Sequence, residues 1–152
     1  MDDVKIRAAG AEEIDAALKL YQWLFEPPGY PPRYWEETPA REALAETIEA
    51  EYATVLVAES GVGELVGFIT VYLDLNSVRY GQRAWVEDLA VDPSHRSAGI
   101  GKALLNSAKV WAKKRRATHV ELDTGLSRTD AQRFYDREDP IAKGYSYSWA
   151  LR

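Results

Sequence analysis

Hydrophobic residues alternate with polar ones in short stretches and recur at helical spacing in longer ones, and the two patterns predict ten elements. Residues 4–7 alternate between apolar and basic side chains, which indicates a short first strand. Over residues 11–25 apolar side chains recur every three or four positions behind acidic ones, as in an amphipathic helix. Residues 26–37 contain four prolines and a glycine and predict a loop. A second helix then begins with Thr38 as N-cap and Pro39 at its first position.

From residue 54 the spacing becomes that of a sheet. Residues 54–59 and 65–75 flank a glycine-containing turn and predict a hairpin, and the second strand is apolar on both faces, which places it centrally. The remaining predicted elements are a strand at 83–91, a helix after 101, a strand at 118–123, a helix around 130–136 and a last strand at 145–151. The order β-α-α-β-β-β-α-β-α-β predicts an α/β fold with a mixed sheet and places residues 1–152 in a single domain.

Composition and charge limit the classes of function. Hydrophobic residues make up 46% and charged residues 28%, as in an ordinary soluble domain. The net charge of −5 argues against a general nucleic-acid binder. No stretch is apolar enough for a membrane span or a signal core, so we expect a cytoplasmic protein without membrane or nucleic-acid partners. The sequence has no cysteine, which excludes disulfides and a thiol nucleophile.

The distribution of charge is more informative than its total. Residues 96–116 contain seven of the 19 basic residues and no acid, which suits a polyanion. Residues 1–64 contain 14 acids against five bases, which suits a cationic ligand.

The stretch RSAGIG, residues 96–101, places two glycines directly before a predicted helix. Glycine allows a ligand to approach the backbone closely, and a helix N-terminus attracts anions. A Walker loop would need glycine at 96 and a hydroxyl side chain at 103, where Arg96 and Ala103 stand. A dinucleotide fingerprint would need a third glycine where Leu104 stands. Both patterns are therefore excluded, while a plain tight turn before a solvated basic helix stays open.

The same stretch, preceded by EDLAVDPSH and followed by KALL, resembles the GNAT superfamily of acetyl-CoA-dependent N-acetyltransferases. The resemblance is most specific between Trp85 and Tyr135. It implies acetyl-CoA as the acyl-donor cosubstrate, with its pyrophosphate on the amides of the glycine loop and helix start, and with the preceding strand beside pantetheine. The cofactor-binding residues that it implies are Leu89, Ala90, Val91, Arg96, Ser97, Ala98, Gly99, Ile100, Gly101 and Lys102.

Acyl transfer to an amine requires a nitrogen without its extra proton. Removing that proton at pH 7 from an ammonium with a pKa near 10.4 costs roughly 4–5 kcal/mol, which a base or a desolvating pocket must supply. Glu87 and Asp88 lie on one predicted strand, where strict alternation puts them on opposite faces. The resemblance implies that this strand bulges. It makes Glu87 the first candidate for the base, directly or through water, and a salt bridge at the rim is the alternative.

The next strand and helix supply two further candidates. His119, Glu121 and Asp123 share one face of a strand, but three ligands in line do not converge on a metal, and we predict no metal site. The resemblance makes Asp123 the second candidate for the base. It also aligns AQRFYD with the second motif of the family, which implies that Tyr135 protonates the coenzyme sulfur. A structural aromatic pair with Phe134 is the alternative.

The chain departs from the family pattern after this point. Arg128 stands where the family often has Asn, and eight residues separate Tyr135 from Gly144. A non-catalytic acyl-CoA-binding module is therefore the alternative function.

The acidic first third and the aromatic loop predict an acceptor that is cationic and partly apolar or ring-shaped. A small amine, an amino sugar, a polyamine and a peptide amine all remain open, as do acetyl and longer acyl donors. The main hypothesis is an N-acetyltransferase whose primary-amine substrate attacks directly in a ternary complex. The alternative role of the aromatic residues is to pack the first helices on the sheet. The resemblance leaves monomer and homodimer both open.

Overall fold

The computed structural model describes residues 3–152. It divides into two compact units, one ending at Leu122 and the other formed by Asp123–Arg152. The strands are β1 (Lys5–Ala8), β2 (Ala53–Glu59), β3 (Leu65–Ser77), β4 (Gly81–Val91) and β5 (His119–Glu121). The α-helices are α1 (Ile14–Lys19), α2 (Gln22–Phe25), α3 (Glu37–Glu49), α4 (Ile100–Lys114) and α5 (Thr129–Arg137), with short 3-10 helices at Ala11–Glu13 and Pro93–His95.

The first unit contains a five-stranded sheet with the order β1-β2-β3-β4-β5. Strands β1 to β4 are antiparallel, and β5 runs parallel to β4 after the crossover through α4. The predicted mixed α/β fold is confirmed, and so is the central place of β3, whose residues Val66–Val71 are all buried. The assignment of residues 1–152 to a single domain stays a prediction.

Helices cover both faces of this sheet. On one face Phe68 and Val57 form a core with Ala17 and Leu20 of the first helical region and Leu44 of α3. The opposite face packs on α4, whose amphipathic stripe includes the buried Leu104 and Ile100. At Gly67 the strand lies close to α4, because a Cβ at this position would lie 3.2 Å from the Leu104 side chain. The packing of α4 on the sheet thus places the start of α4 next to the end of β4.

Two predicted boundaries are wrong in detail. The first helix is interrupted between α1 and α2, at Leu20 and Tyr21. The second helix begins at Glu37 with Glu36 as its N-cap, two residues before the expected cap at Thr38. Pro39 is tolerated there because it lies in the first turn, where its missing N–H has no intrahelical partner. None of the helices in the described range has the length and apolar character that a bilayer crossing requires.

The second unit contains α5 and a C-terminal segment without regular secondary structure. The last predicted strand is wrong, because residues 138–152 contain no helix or strand. Residues 139–152 are all exposed, including the aromatic side chains of Tyr145, Tyr147 and Trp149. Ser146 between them donates a hydrogen bond from Oγ to Oδ2 of Asp123 at 3.1 Å.

Candidate functional site

A β-bulge interrupts β4 at Glu87. Thr70 of β3 lies opposite Asp88, and the next residue, Val71, lies opposite Val86. Glu87 is the extra residue between them and has no cross-strand partner on β3. The bulge implied by the family resemblance is therefore confirmed. Such bulges re-aim side chains locally and are common beside active sites.

The bulge brings two carboxylates to one side of the strand. Asp88 Oδ2 accepts a hydrogen bond from the Tyr21 hydroxyl at 2.8 Å, and the Asp88 amide donates to Thr70 Oγ1 at 3.0 Å. Burial, the charge and hydrogen bond of Asp88, and then the charge of Glu87 raise the pKa of Tyr21 far above its ordinary value. Both carboxylates thus act on the same phenol. The expectation from strict alternation, that Glu87 and Asp88 lie on opposite faces, is wrong.

Glu87 is exposed to solvent at the rim of this region. Its Oε2 accepts a hydrogen bond from the indole Nε1 of Trp85 at 2.9 Å. Its charge also raises the pKa of the half-buried Tyr72, where burial is the larger cause. The carboxylate is therefore accessible from solvent and lies beside aromatic side chains.

Three aromatic side chains, Tyr21, Phe25 and Trp35, form what we call the aromatic shelf. The rings of Tyr21 and Trp35 are stacked with centroids 6.2 Å apart, and Phe25 meets Trp35 edge-on at 4.8 Å. Tyr21 also packs on Phe68 of the core at 4.8 Å. Trp35 comes from the proline-rich loop and retains 36% of its surface exposed. The shelf thus joins the core to an open surface, with the hydroxyl of Tyr21 directed at Asp88.

The second half of β4 has an open backbone edge. Pairing with β5 ends at Trp85 and Glu121, whereas β4 continues to Val91. In the described residues no strand pairs with this edge after Trp85. The edge includes Leu89 and Val91, two of the residues implied to hold pantetheine. Ala90, between them, is buried and packs in the core.

The glycine loop after β4 is open and anchored at both ends. Asp92 accepts a hydrogen bond from the Ser94 amide at 2.9 Å, which lowers the pKa of the aspartate and caps the short 3-10 helix. Arg96 Nε donates to the carbonyl oxygen of Val91 at 3.3 Å. Ile100 is buried at the start of α4, while residues 97–99 are exposed. The capping role of Asp92 is not among the predictions from the sequence, although Asp before Pro is a recognisable N-cap signal.

The backbone of this loop has the shape of an anion site. Gly99 is the N-cap of α4 in the left-handed conformation, with φ of 81°, and Ser97 also has a positive φ of 68°. Within the described chain the amides of residues 97–102 donate to no backbone oxygen, and the first that does is Ala103, to Gly99 at 3.0 Å. A Cβ at Gly99 would meet no atom within 4 Å, so the space beside it is open. Free amides at a helix start are the groups that bind phosphates.

The second unit contains Asp123 and Tyr135. Tyr135 packs on Phe134 with ring centroids 5.1 Å apart. Burial raises the pKa of Tyr135 to about 12; the charge of Arg128 lowers it and that of Asp123 raises it. Asp123 and Tyr135 thus interact electrostatically within this unit. Their catalytic roles stay predictions.

Comparison with known proteins identifies relatives. A family model described as the acetyltransferase (GNAT) family matches residues 15–138. An uncharacterized N-acetyltransferase of Methanocaldococcus jannaschii is 30% identical over 146 residues, which are 92% of this chain and 63% of the relative. An aminoglycoside N(6')-acetyltransferase type 1 of Klebsiella aerogenes is 32% identical over 101 residues, covering 61% of this chain and 66% of the relative. The chain therefore covers less than two thirds of the length of either relative.

The fold also matches solved structures over almost its whole length. A structure described as a transcriptional regulator from Bacillus halodurans superposes with a TM-score of 0.82 at 25% identity. The match covers 98% of this chain and 100% of the other. The similarity thus extends well beyond the glycine loop.

Proposed function

Since the chain belongs to the acetyltransferase (GNAT) family, we propose that it transfers an acetyl group from acetyl-CoA to a primary amine of a small cationic molecule or peptide. The amine attacks directly in a ternary complex, without a covalent enzyme intermediate. The observation that carries this proposal is the open glycine loop, whose free amides at residues 97–102 lie directly after the bulged, acidic strand β4.

The glycine loop fits the coenzyme. Its left-handed N-cap and unpaired amides are suited to a diphosphate, which replaces the missing backbone acceptors with charged oxygens. The exposed side chains of Arg96 and Lys102 add positive charge. The open edge of β4 at Leu89 and Val91 offers main-chain groups to the pantetheine amides. Bound there, acetyl-CoA supplies an activated thioester to the amine.

Glu87 is the proposed base. It is exposed, lies at the bulge, and accepts one hydrogen bond from Trp85, which leaves further lone pairs for an ammonium or a water molecule. As the base, Glu87 accepts the proton whose removal from the ammonium at pH 7 costs roughly 4–5 kcal/mol. Asp123 remains the second candidate for this role.

Tyr135 is the proposed acid for the departing thiolate. Burial raises the pKa of Tyr135 to about 12, so the phenol keeps its proton at neutral pH and is in the donating form when the thiolate leaves. Arg128, which acts on the same phenol, takes the place where the family often has Asn. This substitution supports the second candidate function, an acyl-CoA-binding module without turnover.

Two measurements test the proposal. Calorimetry with acetyl-CoA should show binding, and a panel of amines should cause release of the coenzyme thiol. Binding with no thiol release from any amine would favour the non-catalytic module. Absence of binding would overturn both functions.

A further inference from the structure

The aromatic shelf lies directly beside the two carboxylates of the bulge. The phenol of Tyr21 connects them, because its ring stacks on Trp35 while its hydroxyl binds Asp88. The charge of Glu87 also reaches this phenol. A ligand bound across Tyr21 would therefore meet the two carboxylates of the protein at one end and its aromatic side chains at the other.

Trp35 is the accessible part of the shelf. Tyr21 packs on Phe68 of the core, whereas Trp35 keeps 36% of its surface exposed. Trp35 comes from a loop without regular secondary structure, and a turn in which its amide donates to the Pro32 carbonyl at 3.0 Å helps to hold it. Phe25 supports the indole edge-on. A partly exposed aromatic surface thus lies next to a pair of carboxylates that attracts cations.

We propose that the acceptor is an arylalkylamine, a primary amine that a short alkyl linker joins to an aromatic ring. This inference rests on the proposed acetyl transfer and specifies its substrate. The ammonium binds at Asp88 and Glu87, and the ring stacks on Trp35. Trp35 and Phe25 then determine specificity, and Asp88, oriented by Tyr21, positions the amine next to the proposed base.

Two physical arguments favour a ring over an alkyl chain of similar size. Aromatic pairs in stacked or edge-on geometry gain free energy beyond the area they bury. A ring also has fewer rotatable bonds to immobilise on binding than a linear chain. Together they predict that a ring is preferred by several-fold to about tenfold.

The test compares 2-phenylethylamine with n-octylamine, which has the same number of carbon atoms and the same single ammonium. We expect kcat/KM for thiol release to be several-fold higher for the ring-bearing amine. In Trp35→Leu the ratio should fall to about one, while coenzyme affinity by calorimetry stays unchanged. Phe25→Leu should lower the ratio in the same direction, and it provides a second test if the first variant loses its cooperative thermal transition.

The matched control is Tyr80→Leu. Tyr80 is an exposed aromatic residue that directly precedes β4 and lies eight residues before Asp88 in the sequence, where its ring contacts Arg79 and His119. It should leave the ratio unchanged. Turnover without a ring preference, or with a preference that survives both shelf variants, would overturn this inference alone. Coenzyme binding without thiol release from either amine would instead overturn the proposed transfer, and the inference with it.

Discussion

The hydroxyl of Tyr21 lies 2.8 Å from Oδ2 of Asp88 and joins the interrupted first helix to the bulged strand, 67 residues further along the chain. The same phenol stacks on Trp35 and packs on Phe68. One side chain thus contributes to the core, orients a carboxylate and supports the aromatic shelf.

Replacing Tyr21 by Phe should cost about 1–3 kcal/mol of unfolding free energy at neutral pH, because Asp88 loses a charged hydrogen bond. The pKa of Tyr21 is raised in the folded state, so the stabilisation is complete below the ordinary value of about 10 and is lost as pH rises above it. Urea denaturation of both proteins from pH 8 to 11 measures the difference. An equally steep alkaline loss in Tyr21→Phe would contradict this account.

A bulky side chain at Gly99 should abolish coenzyme binding with little effect on the fold. A Cβ there meets no protein atom, so the direct cost is the left-handed conformation, roughly 1–2 kcal/mol. In Gly99→Trp we expect acetyl-CoA affinity to fall at least tenfold by calorimetry. Gly61→Trp, at an exposed turn glycine without a positive φ, is the control. Unchanged affinity in Gly99→Trp would contradict the assignment of the loop.

Glu87→Gln should lower kcat/KM for amine acetylation on the order of 10²-fold, the scale of a lost general base. Coenzyme affinity and thermal stability should change little, because the side chain is exposed and outside the cross-strand pairing. Glu64→Gln removes the same charge from an exposed turn and serves as control. Full activity in Glu87→Gln would transfer the role to Asp123.

Tyr135→Phe should reduce turnover by about tenfold to a hundredfold, because no acid remains for the thiolate. Since the pKa of Tyr135 is about 12, this group should not limit the rate of the unmodified protein until pH approaches that value. Steady-state rates from pH 7 to 11 test this prediction. Phe134→Leu removes the packing partner and keeps the phenol; an equal loss there with none in Tyr135→Phe would support the purely structural role.

The acid-sensitive stability of the first unit should depend on Glu13. Arg7 donates to both of its oxygens, at 2.7 and 2.8 Å, and with the Gly10 amide lowers the pKa of Glu13 to about 2. The stabilisation is therefore present above the ordinary value near 4.5 and is lost as pH falls towards 2. Glu13→Gln should cost about 1–2 kcal/mol at pH 7 and flatten the acid limb of a urea titration. An unchanged acid limb would refute this role.

Sequence patterns predicted the features that depend on local chemistry. The apolar run of β3 predicted a central strand, and the two glycines at the start of α4 predicted an open backbone. The C-terminal alternation predicted a strand that does not form in the described chain, because period-two spacing indicates which side chains share a face and says nothing about a hydrogen-bonding partner. The contact between Tyr21 and Asp88 could not be predicted, since Tyr21 falls on the apolar stripe of the predicted first helix and nothing local indicates a carboxylate 67 residues away.

The extra residue in β4 can be lost without changing which side chains of the strand face the interior. Loss of one residue elsewhere in a strand would exchange its inner and outer side chains. At Glu87 it would not, because Val86 and Asp88 already lie opposite consecutive residues of β3. A chain shortened by this one residue would keep its register and its interior, so the carboxylate is a removable addition to a sheet that is complete without it.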